Sequence, residues 1–250
     1  MTSLEKKLQP IILLETPDLL VINKPAGLLV HPDGKHDEYS LVDWILKNYP
    51  DMGGVGESLA MQYKGEEIIV DRPGIVHRLD RETSGVLLLA KNQETYEDLK
   101  QQFQNHVIKK EYIAIVLGWP KDRGIINDPI GRSSRDIRIW STGRSARGAM
   151  RDAITRYVVE KKIINEQGEK FAWVKLLPQT GRTHQLRVHM KSIQHPIIGD
   201  GLYAPKTLGM LGFDRVALHA HRISFIDRNG KEYTIEAPIP DEFKIPFLTK

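Results

Sequence analysis

Apolar positions along the chain fall mostly in short runs, and few of them keep a helical period. "IILLE" (11–15) and "DLLVINKP" (18–25) flank a Thr16-Pro17 turn and read as two short strands. In "SLVDWILKNYP" (40–50) the period changes. Leu41, Trp44 and Ile45 share one helical face, Ser40 with Asp43 three residues on suits an N-cap, and Pro50 ends the segment. Residues 51–74 are glycine-rich and aperiodic, which predicts an irregular surface excursion. "IVHRLD" and "GVLLLAKN" predict strand, tight loop, strand. "NQETYEDLKQQFQNHV" (92–107) predicts an amphipathic helix capped by Asn92, with Tyr96, Leu99, Phe103 and Val107 on its apolar stripe.

Strand-like runs dominate the rest: "KKEYIAIVLGW", "AITRYVVEKKII" and "FAWVKLLP". "THQLRVHMKSIQH" instead places Leu186, Met190 and Ile193 at helical spacing, with Thr183 in position to cap. "VALHAHRISFID" and "KEYTIEAP" flank "RNG", a hairpin signal. Strands outnumber helices and often follow one another directly. That order predicts an α+β fold with a mixed, largely antiparallel sheet and flanking helices, not a doubly wound parallel one. No internal repeat and no Pro/Gly/Ser linker divides the chain, so one domain over residues 1–250 is expected.

Composition narrows the class. A chain of 250 residues, 40% apolar and 27% charged, can bury a substantial core and has the balance of a soluble globular protein. No run of 18 apolar residues predicts a membrane span, and "MTSLEKKLQP" lacks the apolar stretch of a secretory leader. The absence of cysteine excludes disulfides and thiolate metal sites and points to a reducing cytoplasm. A net charge of +4 is only mildly basic, but the distribution says more. From Arg132 to Arg151 six arginines face a single acid, Asp136, a density that suits phosphate contacts, with a solvated loop as the plainer alternative. Trp140 lies within that stretch, where it can stack on a base or pack in the interior.

Two segments can carry chemistry. In "HRLDRETSG" (77–85), Asp80 stands between Arg78 and Arg81 at the mouth of an apolar run. Neighbouring guanidinium groups favour an ionised carboxylate, which at a strand end can serve as nucleophile or base, though a structural turn acid fits equally well. "LLPQTGRTHQLRVHM" (176–190) brings a strand through a glycine loop into a helix, with Arg182, Thr183 and His184 at a junction suited to anions. Arg187 can project from the first turn toward a carboxylate. The nine histidines include no pair with the i, i+4 spacing and acid of a helical zinc site, so no metal is expected. Tyr112 alternates with Ala114 and Val116 on one strand face, a pattern more often of a core than of a site.

Together these segments resemble the RluA-type pseudouridine synthases. The resemblance rests on "INKPAGLLVHP" (22–32), "PGIVHRLDRETSGVLLLAKN" (73–92), "KKEYIAIVLG" (109–118), "PQTGRTHQLRVHM" (178–190), "HPIIGDGLY" (195–203) and "ALHAHRISF" (217–225), in the family's order. It implies isomerisation of uridine to pseudouridine in RNA without metal or organic cofactor, on one catalytic domain with a central basic cleft. By motif, Asp80 matches the essential aspartate, acting at C1′ as nucleophile or in elimination. Arg187 matches the basic residue that pairs with it, and Tyr112 the tyrosine that stacks on the base and helps remove the C5 proton. Leu186 matches the apolar wall of the base pocket, and Arg78 the arginine that fills the gap left by the extruded base. About ten residues precede the first strand, so the RNA-binding module that precedes the core in several members is expected to be absent. The wording of "RPGIVHRLD" and "KPAGLLVHP" resembles members acting on large-subunit ribosomal RNA, while the missing module resembles members acting on tRNA or short stem-loops. The partner expected is thus a ribosomal or transfer RNA stem-loop, met by a monomer.

Overall fold

The computed structural model describes residues 8–32, 38–63, 66–136 and 138–244. The first seven positions, which enter the reading of the N-terminal stretch, lie outside the described residues. The chain forms two compact units, Met1–Ile108 with Arg222–Ala237, and Lys109–His221 with Pro238–Lys250.

In the first unit β1 (Ile11–Glu15) and β2 (Leu19–Lys24) form the expected hairpin, with Glu15 opposite Leu20. Thr16 closes it by accepting the N–H groups of Asp18 and Leu19 on its hydroxyl, at 3.3 and 3.0 Å. Helix α1 (Leu41–Asn48) carries the full capping box. The Ser40 hydroxyl accepts from the Asp43 N–H, and Asp43 Oδ2 accepts from the Ser40 N–H at 2.8 Å. The excursion at 51–74 is irregular only in its glycine-rich first part. Its second part forms an antiparallel hairpin of β3 (Leu59–Tyr63) and β4 (Glu66–Val70), because the β-branched run "EEIIV" favours a ladder.

Strand β5 (Ser84–Ala90) is buried at all seven positions and pairs with β2 from Leu19↔Ala90 to Lys24↔Gly85. Helix α2 (Gln93–Gln104) is capped by Asn92, whose Oδ1 accepts the Thr95 N–H at 2.9 Å. It ends three residues before Val107, because His106 turns to a φ of +57°. Val107 is consequently 44% exposed and does not belong to the buried stripe of Tyr96 and Leu99.

The second unit comprises β6 (Lys109–Leu117), β7 (Arg123–Ile126), β8 (Ile130–Ser133), β9 (Trp140–Thr142), β10 (Ala146–Arg151), β11 (Thr155–Ile164), β12 (Lys170–Pro178) and helix α3 (Gln185–Ser192). Antiparallel pairings run in the order β6-β12-β11-β7. Ile113, Ile115, Phe171, Val174, Leu176 and Met190 lie in one buried cluster with Phe213 and Phe243. The arginine-rich stretch, read as phosphate contact or loop, is a separate three-stranded sheet, β10-β8-β9. Strand β13 (Leu218–Ile226) begins in this unit and ends in the first. There it pairs with β14 (Glu232–Glu236), and helix α4 (Asp241–Lys244) follows. The class is α+β, as the pattern of runs predicts.

Candidate active site

Asp80 lies in a loop, not at the end of the strand predicted for "IVHRLD". Only Ile75 makes a ladder contact, a single bridge to Leu89. Two local causes prevent a strand. Gly74 has a φ of +65° and sits so close to Ala90 that a Cβ would lie 2.1 Å from its carbonyl oxygen. His77 then replaces a backbone carbonyl, since its Nε2 accepts the Leu88 N–H at 2.9 Å while its ring lies 4.7 Å from that of Phe103. The conspicuous histidine of the motif thus holds up the loop.

The loop is fixed from below by Lys24, which is fully buried. Its ammonium donates to the carbonyls of Pro25 and Leu28, both at 2.9 Å, and of Arg81 at 3.0 Å. A buried charge is tolerable when its donors are satisfied in this way. The Gly27 N–H donates to the same Arg81 carbonyl at 2.9 Å, and the Thr83 N–H to the Asp80 carbonyl at 3.1 Å. The backbone around Asp80 is therefore held on both sides. Arg81 is engaged by two acids, 2.7 Å from Glu38 and 3.5 Å from Glu82.

Arg78 has the accessible area of an exposed residue, yet the protein around it is dense enough for desolvation to lower its pKa. The Asp80 charge opposes that effect and Arg72 adds to it. Its Nη1 lies 2.9 Å from Nε2 of His31, whose Nδ1 lies 3.1 Å from the Pro32 carbonyl.

In the second unit, Arg187 on the first turn of α3 forks onto Asp200. Nε donates to Oδ2 at 2.7 Å and Nη2 to Oδ1 at 2.8 Å. Oδ1 also accepts the N–H groups of Leu202 and Tyr203, both at 3.0 Å. Burial alone would raise the Asp200 pKa, but the bonds from Arg187 and the two backbone groups outweigh it and hold the carboxyl below its usual range. The Tyr203 ring lies under the same guanidinium at 4.9 Å, and its hydroxyl accepts the Trp140 N–H at 2.9 Å and lies 2.9 Å from His184 Nδ1. Neither Asp200 nor Tyr203 is singled out by the sequence reading, although both stand in "HPIIGDGLY".

Thr183 does not cap α3. The N-cap position is His184, in the left-handed region at φ +55°, without a side-chain capping bond. Gln185 supplies the missing order. Its Oε1 accepts from the Thr180 hydroxyl at 2.7 Å and the Arg182 N–H at 3.0 Å, and its Nε2 donates to the Ile154 carbonyl and to Thr155, both at 3.0 Å. Of the expected anion-binding trio, Arg182 donates to the Asp152 carbonyl at 3.0 Å, His184 meets Tyr203, and Thr183 is exposed. His189 is a core histidine. Its Nδ1 meets the Thr155 hydroxyl at 2.9 Å, its Nε2 the Asp128 carbonyl at 3.0 Å, and burial lowers its pKa.

Tyr112 sits on β6 opposite Leu176, half-buried against the core, and Leu186 is buried in the same cluster. Two residues before Tyr112, on the same strand face, burial pushes the Lys110 amine down to about 8, and its Nζ lies 3.4 Å from the Thr180 carbonyl. Lys110 is a further polar group that the sequence reading passed over. Among the described residues no three His, Asp or Glu side chains converge as a metal site requires.

Arg147 and Arg151 on β10 of the three-stranded sheet, with Arg135 and Arg144 in the connections between its strands, are exposed. Arg132 instead lies over the Trp140 ring at 4.3 Å, so one face of that indole carries a guanidinium. Arg138 forks onto Asp136 and holds its carboxyl down to about 2. A small buried cluster of Ile130, Ala153, Val188 and Tyr203 anchors this sheet to α3.

Comparison with known proteins gives the same account from another direction. The family model described as RNA pseudouridylate synthase matches residues 18–192. An uncharacterized RNA pseudouridine synthase of Synechocystis is 36% identical over 93% of this chain and 66% of its own length. Ribosomal large subunit pseudouridine synthase D of Zymomonas mobilis is 36% identical over 94% of this chain and 71% of its own. The chain thus spans about two thirds of the length of these relatives. Among solved structures, human RNA Pseudouridylate Synthase Domain Containing 4 superposes with a TM-score of 0.68 at 27% identity, covering 96% of this chain and 92% of that one. Over more than half its length, then, this chain belongs to the RNA pseudouridylate synthase family.

Proposed function

We propose that this protein isomerises uridine to pseudouridine in RNA, with Asp80 as the group that acts at C1′. The observation that carries the reading is the Asp80 loop itself. A carboxylate stands in an irregular turn whose backbone is fixed by a buried lysine, beside an arginine presented at the surface. Rigid backbone and a preset side chain are what a reaction at one sugar carbon requires. The bond from C1′ to N1 breaks, the uracil turns, and a bond from C1′ to C5 forms. C5 loses its proton and N1 gains one, so no outside reactant is consumed.

Four further residues support the chemistry. Tyr112, with Lys110 on the same strand face, is assigned to the base and to removal of the C5 proton. Arg187, locked in orientation by Asp200, is assigned to the charge at the reacting centre, and Leu186 to the apolar wall. The base must leave its stack, which costs a few kcal/mol. Arg78 is assigned to the vacated space, and the exposed arginines of β8–β10 to the RNA backbone. Ribosomal RNA is the favoured substrate, because two of the relatives, from Zymomonas mobilis and Vibrio parahaemolyticus, are named for the large ribosomal subunit.

The test is release of tritium from RNA labelled at uridine C5, with ribosomal and transfer RNA supplied separately. Release from ribosomal RNA by the wild type, and none by Asp80→Asn, is expected. Equal release by the Asn variant would remove Asp80 from the reaction. Release from transfer RNA alone would overturn the substrate assignment.

A further inference from the structure

The guanidinium of Arg78 meets a ring nitrogen, and the arrangement defines that ring's protonation. A guanidinium has only donors, so at 2.9 Å Nη1 donates and Nε2 of His31 must carry a lone pair. The Pro32 carbonyl, 3.1 Å from Nδ1, can only accept, so the proton resides on Nδ1. His31 is itself 7% exposed, whereas Arg78 reaches the surface. A buried neutral imidazole thus points its single acceptor at an exposed cation. An exposed arginine ordinarily samples many rotamers and loses that freedom on binding; one held by an acceptor has lost part of it beforehand.

We propose that His31 is a positioning residue that holds the Arg78 guanidinium ready for RNA, by accepting its hydrogen bond on Nε2. The proposal rests on the assignment of Arg78 to the space left by the extruded uridine. It predicts a loss in kcat/KM carried by KM, because formation of the bound, base-extruded complex is what preordering favours, with kcat little changed. Loss of the acceptor should raise KM about three- to tenfold, the value of one ordered side chain at an interface.

Two substitutions divide the imidazole's roles. In His31→Asn the side-chain amide reaches the place of Nδ1 and keeps the Pro32 contact, but offers nothing to Arg78. In His31→Gln the side-chain oxygen reaches the place of Nε2 and keeps the acceptor for Arg78. Tritium release is measured for both, for Arg78→Ala, and for Arg78→Ala combined with His31→Asn. The expected result is a raised KM for His31→Asn, recovery toward wild type for His31→Gln, and no further loss when His31→Asn is added to Arg78→Ala. Equal behaviour of the Asn and Gln variants, or additive loss in the double variant, would reduce His31 to packing and overturn the proposal. Full activity of Arg78→Ala would overturn the assignment of Arg78 as well, which the other two failures leave intact.

Discussion

Alanine at position 200 would remove an acceptor of four hydrogen bonds from a place with almost no water. The Arg187 side chain is 11% exposed and that of Asp200 1%, so the value of a surface ion pair does not apply. Breaking a buried pair by deleting one partner costs about 3–5 kcal/mol. Asparagine separates the contributions. Oδ1 takes the bonds from Arg187 Nη2 and from the N–H groups of Leu202 and Tyr203, while Oδ2 takes only Arg187 Nε. An asparagine with its oxygen at the Oδ1 position keeps three bonds and sets an NH2 against Nε–H. It should cost about 1.5–3 kcal/mol, the range for bonds to charged groups.

Urea unfolding followed by tryptophan fluorescence reads this directly, since Trp119, Trp140 and Trp173 all lie in the same unit as the pair. With a urea slope of about 3 kcal/mol/M, the midpoint should fall by about 1–1.7 M for Asp200→Ala and about 0.5–1 M for Asp200→Asn. An alanine variant within about 0.3 M of wild type would give the pair no more than surface value. An asparagine variant as unstable as alanine would show that the three bonds at Oδ1 contribute nothing.

Asp200 and His189 both weaken the fold as pH falls, in two successive windows. The depressed Asp200 pKa contributes stability above the unfolded value of about 3.9, lost as pH falls through the lower folded value. His189 is favoured neutral, so the unfolded chain takes its proton first. Stability should decline as pH falls below about 6.5, and His189→Gln should flatten that part of the curve in urea titrations at several pH values. Gly74→Ala should cost about 3 kcal/mol or more by the same assay, since both φ and the Ala90 carbonyl oppose a Cβ. Gly143→Ala, at φ +57° with open space around it, should cost only about 1 kcal/mol, and equal costs would refute the close approach. Replacing Arg147 or Arg151 by Ala should lower the slope of log affinity against log salt by about 1 each for RNA, and an unchanged slope would remove β10 from the phosphate contact.

Features that depend on neighbours in sequence were legible before the fold was known. The capping box of Ser40 and Asp43, the Asn92 cap and the hairpin around "RNG" all involve residues three to five apart. The Asp80 motif stood out as a sequence, but the path of its backbone did not. A histidine standing in for a carbonyl at Leu88 has no periodic signature. The supports of the site were hidden for a different reason. Lys24 meets Arg81 across 57 positions and His31 meets Arg78 across 47, so neither stood out in the sequence. Asp200 showed only as a letter in "HPIIGDGLY", because the folded chain creates both its burial and its four donors. The β8–β10 sheet was obscured by its own arginines, whose charge reads as loop while the buried Ile130 and Ala153 anchor it.

The bond from the Leu88 amide to His77 turns one backbone position into a reporter. Exchange of that amide with solvent deuterium needs the imidazole to move off, and the imidazole travels with the segment that carries Asp80 three residues later. The Leu88 amide bonds to a side chain and not to the paired strand, so the β2–β5 ladder need not open for the event to register. A single exchange rate, followed in the native protein without label or substitution, would therefore time the opening of the loop that carries Asp80 and, on the proposed function, its quenching when RNA binds.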